Sequence, residues 1–268
     1  MRAKKSLGQH FLTSESAITA IIAAAKLNKS DSVLEIGPGK GVLTKALLKH
    51  AGKVVAIEKD PDMIAYLTEE FANELKNGSL TLYEGSAEDI AFDAVLPGEY
   101  KVVANIPYYI TGLLLRHMFS QKTLPTCAVV LVQKEVATRI AREKKESILS
   151  LSVKVYGTPV YIQTVKAGSF SPAPKVDSAI LAVYDIQRSA VDSPNKEKVF
   201  FTLLKEGFSK KRKLLVSNLS HLLPREEILS AFTDAGISHS ARAEDVPLSQ
   251  WLAITSTLER LIHSNTTK

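Results

Sequence analysis

Asn105-Ile106-Pro107-Tyr108 sets an amide, a rigidly held carbonyl and an aromatic ring side by side in the chain. Such a set suits a nucleophile whose lone pair is tied up in a ring, as it is in the exocyclic N6 amine of adenine. The Asn105 side-chain oxygen and the Ile106 backbone carbonyl could accept both amine hydrogens and so favour a pyramidal, reactive nitrogen. Pro107 keeps the preceding residue extended and presents its carbonyl in one direction. Tyr108 offers a face on which a base turned out of its helix can stack. No strong general base is required, because the proton can leave after transfer. The same four residues also fit a turn with an asparagine cap, so their meaning depends on what positions them.

A second group lies upstream, in Glu35-Ile36-Gly37-Pro38-Gly39-Lys40-Gly41. Glycines without Cβ let backbone come close to a ligand. The spacing is not the dinucleotide fingerprint, which needs glycine where Val42 stands. Alone, the turn fits either a nucleotide site or a tight strand-to-helix connection. Glu58 ends the next apolar run, where a carboxylate can accept both hydrogens of a ribose diol; otherwise it is an exposed strand-end acid. Its spacing from Gly37 favours the ribose role. The E-x-G-x-G-x-G form resembles motif I of class I methyltransferases, and that resemblance implies S-adenosylmethionine as cofactor.

These residues need a scaffold, and the apolar pattern supplies one. Residues 33–36, 54–57, 80–83, 102–104 and 128–132 read as short buried strands, with helices between them at 42–50 and after Asp60-Pro61. The alternation predicts an α/β fold, a doubly wound and mostly parallel sheet. Ligands of such sheets bind beyond the carboxyl ends of the strands, where the glycine turn, Glu58 and Asn105 all fall. Residues 160–165 and 180–184 predict an antiparallel edge hairpin. The polar stretch 189–195, with Pro194, reads as a linker. Helical periodicity beyond it predicts a small all-helical domain, dividing the chain into residues 1–188 and 189–268.

Composition narrows the function classes. The 268 residues are 45% hydrophobic and 23% charged, ordinary for a soluble globular enzyme. No run approaches the roughly 18 to 20 apolar residues needed to span a bilayer, and the basic start, Met1 to Lys5, is followed by polar residues instead of a signal core. A cytoplasmic protein without a membrane partner is expected. Cys127 is the single cysteine and the six histidines are scattered, so no disulfide and no metal site are expected. The formal charge of +6 permits a polyanionic partner. Lys210-Lys211-Arg212-Lys213 and the group Arg2, Lys4, Lys5 are local concentrations that fit either a solvated face or RNA contact.

Five collinear segments carry a fuller resemblance: residues 6–12 (SLGQHFL), 35–39 (EIGPG), 105–108 (NIPY), 133–136 (QKEV) and 170–178 (FSPAPKVDS). Together they resemble the ribosomal RNA adenine dimethylase family, in its small-subunit branch. The resemblance implies dimethylation of N6 on two adjacent adenosines near the 3′ end of 16S rRNA, within an immature 30S subunit, the helical domain assisting RNA binding. It implies that His10 and Leu12 contact the cofactor together with Gly37, Glu58, Ser86 and Asn105. It also implies that Phe170 forms a second stacking wall beside Tyr108, although core packing fits Phe170 as well. Two residues depart from the family pattern. His10 stands where asparagine is usual, and Ser86 where an aspartate usually binds the cofactor's adenine; Glu88 or Asp89 could substitute. Rival readings are a large-subunit methylase of the resistance type, a DNA adenine methylase, and a non-catalytic assembly factor. The small C-terminal domain with Phe208 to Lys213 favours the small-subunit branch, and Asn105 with Tyr108 argues against a non-catalytic protein.

Overall fold

The computed structural model describes residues 4 and 8–266, with 260–266 described by their backbone alone. Met1, Arg2, Ala3, Lys5, Ser6 and Leu7 lie outside the described residues, and with them part of the basic amino-terminal group and the start of the first family segment.

Seven strands form one sheet: β2 (Ser32–Ile36), β3 (Lys53–Glu58), β4 (Leu80–Glu84), β5 (Lys101–Asn105), β6 (Cys127–Gln133), β7 (Thr158–Val165) and β9 (Ser178–Tyr184). Their spatial order is β4-β3-β2-β5-β6-β9-β7. The first five pair in parallel, and β9 runs antiparallel to both β6 and the edge strand β7. Valine-rich runs such as Val54-Val55 and Val129-Val130 are buried, as a sheet covered on both faces requires. Cys127 belongs to that core, and burial pushes its thiol up to about 11, so it packs as a small hydrophobe.

The chain leaves β2 towards β3 and β4, then returns to the other side of β2 as β5 and β6. The order therefore reverses between β2 and β5, which opens a crevice at the carboxyl ends of those two strands. Ile36 pairs with Ala104 across that boundary. The glycine turn and Asn105 thus emerge next to each other.

Helices cover the sheet: α1 (Glu15–Ala25), α2 (Val42–His50), α3 (Pro61–Glu70), α4 (Ala72–Lys76), α5 (Phe92–Val95), α6 (Thr111–Ser120) and α7 (Lys134–Ala141). Asp60 caps α3 and Pro61 takes its first turn, as the sequence predicts. A feature without sequence signal is the antiparallel pair β1 (Phe11–Leu12) and β8 (Phe170–Ser171), which ties the amino-terminal segment to the proline-rich loop. Two residues are too few to carry a period.

The chain forms two compact units, residues 1–141 with 157–186, and residues 142–156 with 187–268. The second unit contains α8 (Ile148–Lys154), α9 (Pro194–Gly207), α10 (Leu215–Leu219), α11 (Arg225–Asp234) and α12 (Leu248–Thr266). Residues 189–195 are not an irregular linker: Ser193 caps α9 and Pro194 is its first residue, where a missing N–H costs nothing. Buried Trp251 fills the centre of this unit, and a Cβ on Gly207 would fall 2.6 Å from its ring. Segment 142–156 is held to the later helices by Glu146 N–H donating to Glu244 O at 2.7 Å and by the Lys145–Glu244 ion pair.

Candidate active site

The crevice between β2 and β5 widens into an open cavity bordered by the glycine turn, Glu58, Ser86, Asn105 and Tyr108, at the place where an α/β sheet of this order binds its ligands. Gly37 and Gly39 form its floor, with φ of 70° and 56°, a left-handed region in which side chains strain the backbone. At Gly39 a Cβ would also meet the Phe11 ring at 2.9 Å. The turn therefore exposes bare backbone where a ligand can approach closely.

Glu58 closes one side. It is 6% exposed, and its carboxylate accepts from Gly39 N at 3.1 Å and Asp60 N at 2.9 Å. Burial raises its pKa above the usual carboxylate value, against the pull of those amides. Glu35, at the start of the turn, is a second buried acid of a different kind. Both Glu35 oxygens and the Thr44 hydroxyl are buried without a well-formed hydrogen bond among the described residues. Burial pushes the Glu35 carboxyl up to about 8, the nearby Thr44 hydroxyl offsetting part of this, so it stays protonated at neutral pH.

Asp60 is fully buried and accepts from Lys4 Nζ at 2.7 Å and Gln9 Nε2 at 2.9 Å, besides capping α3. Burial alone would raise its pKa, but these donors hold it below the usual value. Residues 4 and 9 are thereby fastened beside Glu58, and Gly8, Gln9, His10 and Phe11 border the cavity. Sequence reading missed Asp60 as anything but a cap, because its partner Lys4 is 56 positions away.

After β4, Ser86 and Glu88 border the cavity, and Asp89 does not. Lys59 Nζ donates to Ser86 Oγ at 3.1 Å and lies 3.7 Å from Glu88. Burial would raise the Glu88 pKa, but Ser86 and Lys59 hold the carboxylate below its usual value. Of the two acids that could stand in for the missing aspartate, Glu88 is the one at the site.

Asn105 ends β5 and faces the same cavity. Its Nδ2 donates to His10 O at 3.0 Å, while its Oδ1 accepts from no described residue. Tyr108 is half-buried and shares a 2.6 Å hydrogen bond with the buried Ser178 hydroxyl. The His10 imidazole stacks beside Tyr108, ring centroids 5.9 Å apart and planes 23° from parallel. His10 Nδ1 lies 2.7 Å from Pro172 O; a carbonyl only accepts, so Nδ1 carries the hydrogen.

Two further expected site residues, Leu12 and Phe170, do not border this cavity. Leu12 and Phe170 face each other across the β1–β8 pair, each 5% exposed and part of the hydrophobic core. Leu12 borders a smaller adjoining cleft that shares Phe11, Gly37, Gly39 and Asn105 with the cavity, and Phe170 borders neither opening. The Phe170 ring packs with Leu12 among the core residues of the sheet. Tyr109, not singled out from the sequence, borders the cavity with 64% exposure; its place directly after Tyr108 was the available signal.

Among the described residues no helix is long and apolar enough to cross a membrane, and no group of acids, histidines and cysteine is placed to hold a metal ion.

The family model for ribosomal RNA adenine dimethylase matches residues 1–260. Ribosomal RNA small subunit methyltransferase A of Dehalococcoides mccartyi is 41% identical over 256 residues, covering 94% of this chain and 87% of the relative. The protein of the same name from Acaryochloris marina is 37% identical over 265 residues, covering 96% and 97%. Among solved structures, a dimethyladenosine transferase from Plasmodium falciparum superposes with a TM-score of 0.81 at 29% identity, covering 94% of this chain and 98% of that one. The 23S rRNA methyltransferase ErmE superposes at 0.76 with 24% identity, covering 92% and 99%, and shares the fold.

Proposed function

The chain belongs to the ribosomal RNA adenine dimethylase family, and from that premise we propose that it dimethylates N6 of two adjacent adenosines near the 3′ end of 16S rRNA. It is an S-adenosylmethionine-dependent enzyme of small-subunit rRNA. The immature 30S subunit is the proposed form of the substrate and the cytoplasm the proposed place. In this reading the unit of residues 1–141 with 157–186 carries the chemistry, and the helical unit of residues 142–156 with 187–268, in place of a break at residue 188, assists in gripping RNA.

The residues present fit the cofactor. Bare backbone at Gly37 leaves room for its methionine part, Glu58 can accept from its ribose diol, and Glu88 with Ser86 can accept from its adenine amine. Bound there, S-adenosylmethionine supplies an electrophilic methyl group on a sulfonium. What this chain's residues contribute is alignment of the nucleophile. Asn105 Oδ1 and Ile106 O accept the two N6 hydrogens and hold the nitrogen pyramidal, and Tyr108, anchored by Ser178, stacks on the base. The proton of the methylated amine passes to water.

One observation carries this assignment: the Asn105 amide nitrogen is already spent on His10 O, which leaves the acceptor oxygen for the substrate. Removing one acceptor of that kind typically costs about 2.7–4 kcal/mol, or about 100- to 1000-fold in rate. Asn105→Ala should therefore slow single-turnover methylation of small subunits by that factor and change the ratio of mono- to dimethylated adenosine. Asn105→Asp, which keeps an acceptor, should be less damaged. Wild-type rate and product ratio in folded Asn105→Ala protein would refute the mechanism.

A further inference from the structure

After β4 the chain runs from Gly85 to Ala91 outside any helix or strand, before α5 begins at Phe92. On that run Ser86 and Glu88 border the cavity. Its near end is fixed to the sheet, Gly85 N donating to Glu58 O at 2.8 Å. Its far end is fixed to α6. His117 Nε2 lies 2.9 Å from Ile90 O, and a carbonyl only accepts, so Nε2 carries the hydrogen. Gln121 Oε1 accepts from the buried Phe92 N–H at 2.8 Å, while its amide nitrogen donates to His117 O at 3.0 Å and so keeps the oxygen turned to Phe92. The Phe92 ring meets the His117 imidazole edge to face, centroids 5.1 Å apart and planes at 87°. Ile90 carries the hold back to the start of the run: its side chain lies so near Gly85 that a Cβ there would meet it at 3.1 Å.

What the run carries gives this clamp a use. A serine oxygen sits close to its own backbone and reaches only where that backbone is put. Between the two anchors the run is closed by one turn, Asp89 N donating to Ser86 O at 2.9 Å. The directions of Ser86 and Glu88 therefore follow from how the ends are held. Resting on the reading that these two residues accept from the cofactor's adenine amine, we propose that His117 is a positioning residue for adenine recognition, with Gln121 as its partner. Through Ile90 and Phe92 the pair keeps both acceptors facing the amine before the cofactor arrives. A released run would have to be ordered at each binding event, and that ordering would be subtracted from affinity. The same helix begins at the catalytic turn, where Thr111 Oγ1 donates to Tyr108 O at 3.1 Å. Thus α6 joins the residues that align the nucleophile to those that read the cofactor.

The test uses S-adenosylhomocysteine and its analogue with hydrogen in place of the adenine amine, each titrated calorimetrically into the parent and into variants. The parent should prefer the amine-bearing ligand by about tenfold or more, the scale of hydrogen bonds to a charged acceptor. His117→Phe keeps a ring against Phe92 and removes the donor to Ile90 O. It should lower affinity for S-adenosylhomocysteine by about three- to tenfold and leave the analogue within about twofold, so that the preference shrinks. His117→Gln returns an N–H at similar reach and should restore the preference. Gln121→Met removes the acceptor of Phe92 N–H and should shrink the preference likewise, which decides the matter should His117→Phe not fold. Equal losses for both ligands, an unchanged preference, or a His117→Gln protein no better than His117→Phe would overturn the proposal and leave His117 a packing residue. If the parent itself binds the two ligands equally, the reading of Ser86 and Glu88 as amine acceptors fails, and that is seen before any variant is made.

Discussion

Glu58 and Glu35 show how position alone gives two carboxyls different work. Glu58 keeps backbone donors and serves as an acceptor, so Glu58→Gln should weaken S-adenosylmethionine binding by about 1–3 kcal/mol, the scale of hydrogen bonds to a charged group. Because burial raises its pKa, the parent's affinity should begin to fall on acidification above the usual carboxylate range, and the Gln variant should lose that dependence. Calorimetry across pH decides it; equal affinities would remove Glu58 from the site. Glu35 lacks such donors and stays protonated to about 8, against 4.5 for an ordinary glutamate. Between those values the unfolded chain has released a proton that the folded one keeps, so Glu35 costs stability progressively as pH rises through that window. Glu35→Gln should gain on the parent in melting temperature from about pH 5 to about pH 8. A constant offset between the two proteins would mean that Glu35 is ionised when folded.

At the scale of elements, the amino-terminal segment matters through its fastening. Lys4 and Gln9 converge on Asp60, whose backbone amide also holds the Glu58 carboxylate. The Lys4 pair is partly exposed, so salt screens it. Lys4→Gln should speed cofactor dissociation by about two- to tenfold and remove its salt dependence, a modest effect in keeping with an exposed ion pair. Asp60→Asn keeps a good helix cap, so a similar effect there, and no further loss in the double variant, would locate the effect in the pair. Stopped-flow release rates that match the parent at low salt would show that the segment is held by β1–β8 pairing alone.

For the whole molecule, the question is how a cavity of modest size acts on a large RNA. Lys210, Lys211, Arg212 and Lys213 are exposed on the loop between α9 and α10, and none joins an ion pair among the described residues. Buried Asn218 donates to Gly207 O and Lys210 O and so shapes that loop. Replacing all four with glutamine should leave S-adenosylmethionine binding alone. It should also reduce the log–log salt slope of RNA binding by about 0.7–0.9 for each phosphate that the loop no longer neutralises. A filter-binding slope equal to the parent's would make the loop a solvated face.

Much of this was legible in one dimension. Alternating apolar runs and helices dictate a parallel sheet, and a glycine turn, Glu58 and Asn105 at three strand ends must then meet at the carboxyl edge, since strand direction leaves them no other place. The tertiary structure decided what depends on contacts distant in the chain. It settled that Lys4 meets Asp60, that Phe170 packs in the core with Leu12, that Glu88 rather than Asp89 borders the cavity, and that His10 lies beside Tyr108. It also joined residues 142–156 to the carboxy-terminal helices. Local patterns report periodicity and turn chemistry, which neighbours along the chain impose; which side chain faces which, across tens of positions, is set only when the packed elements compete for the same space.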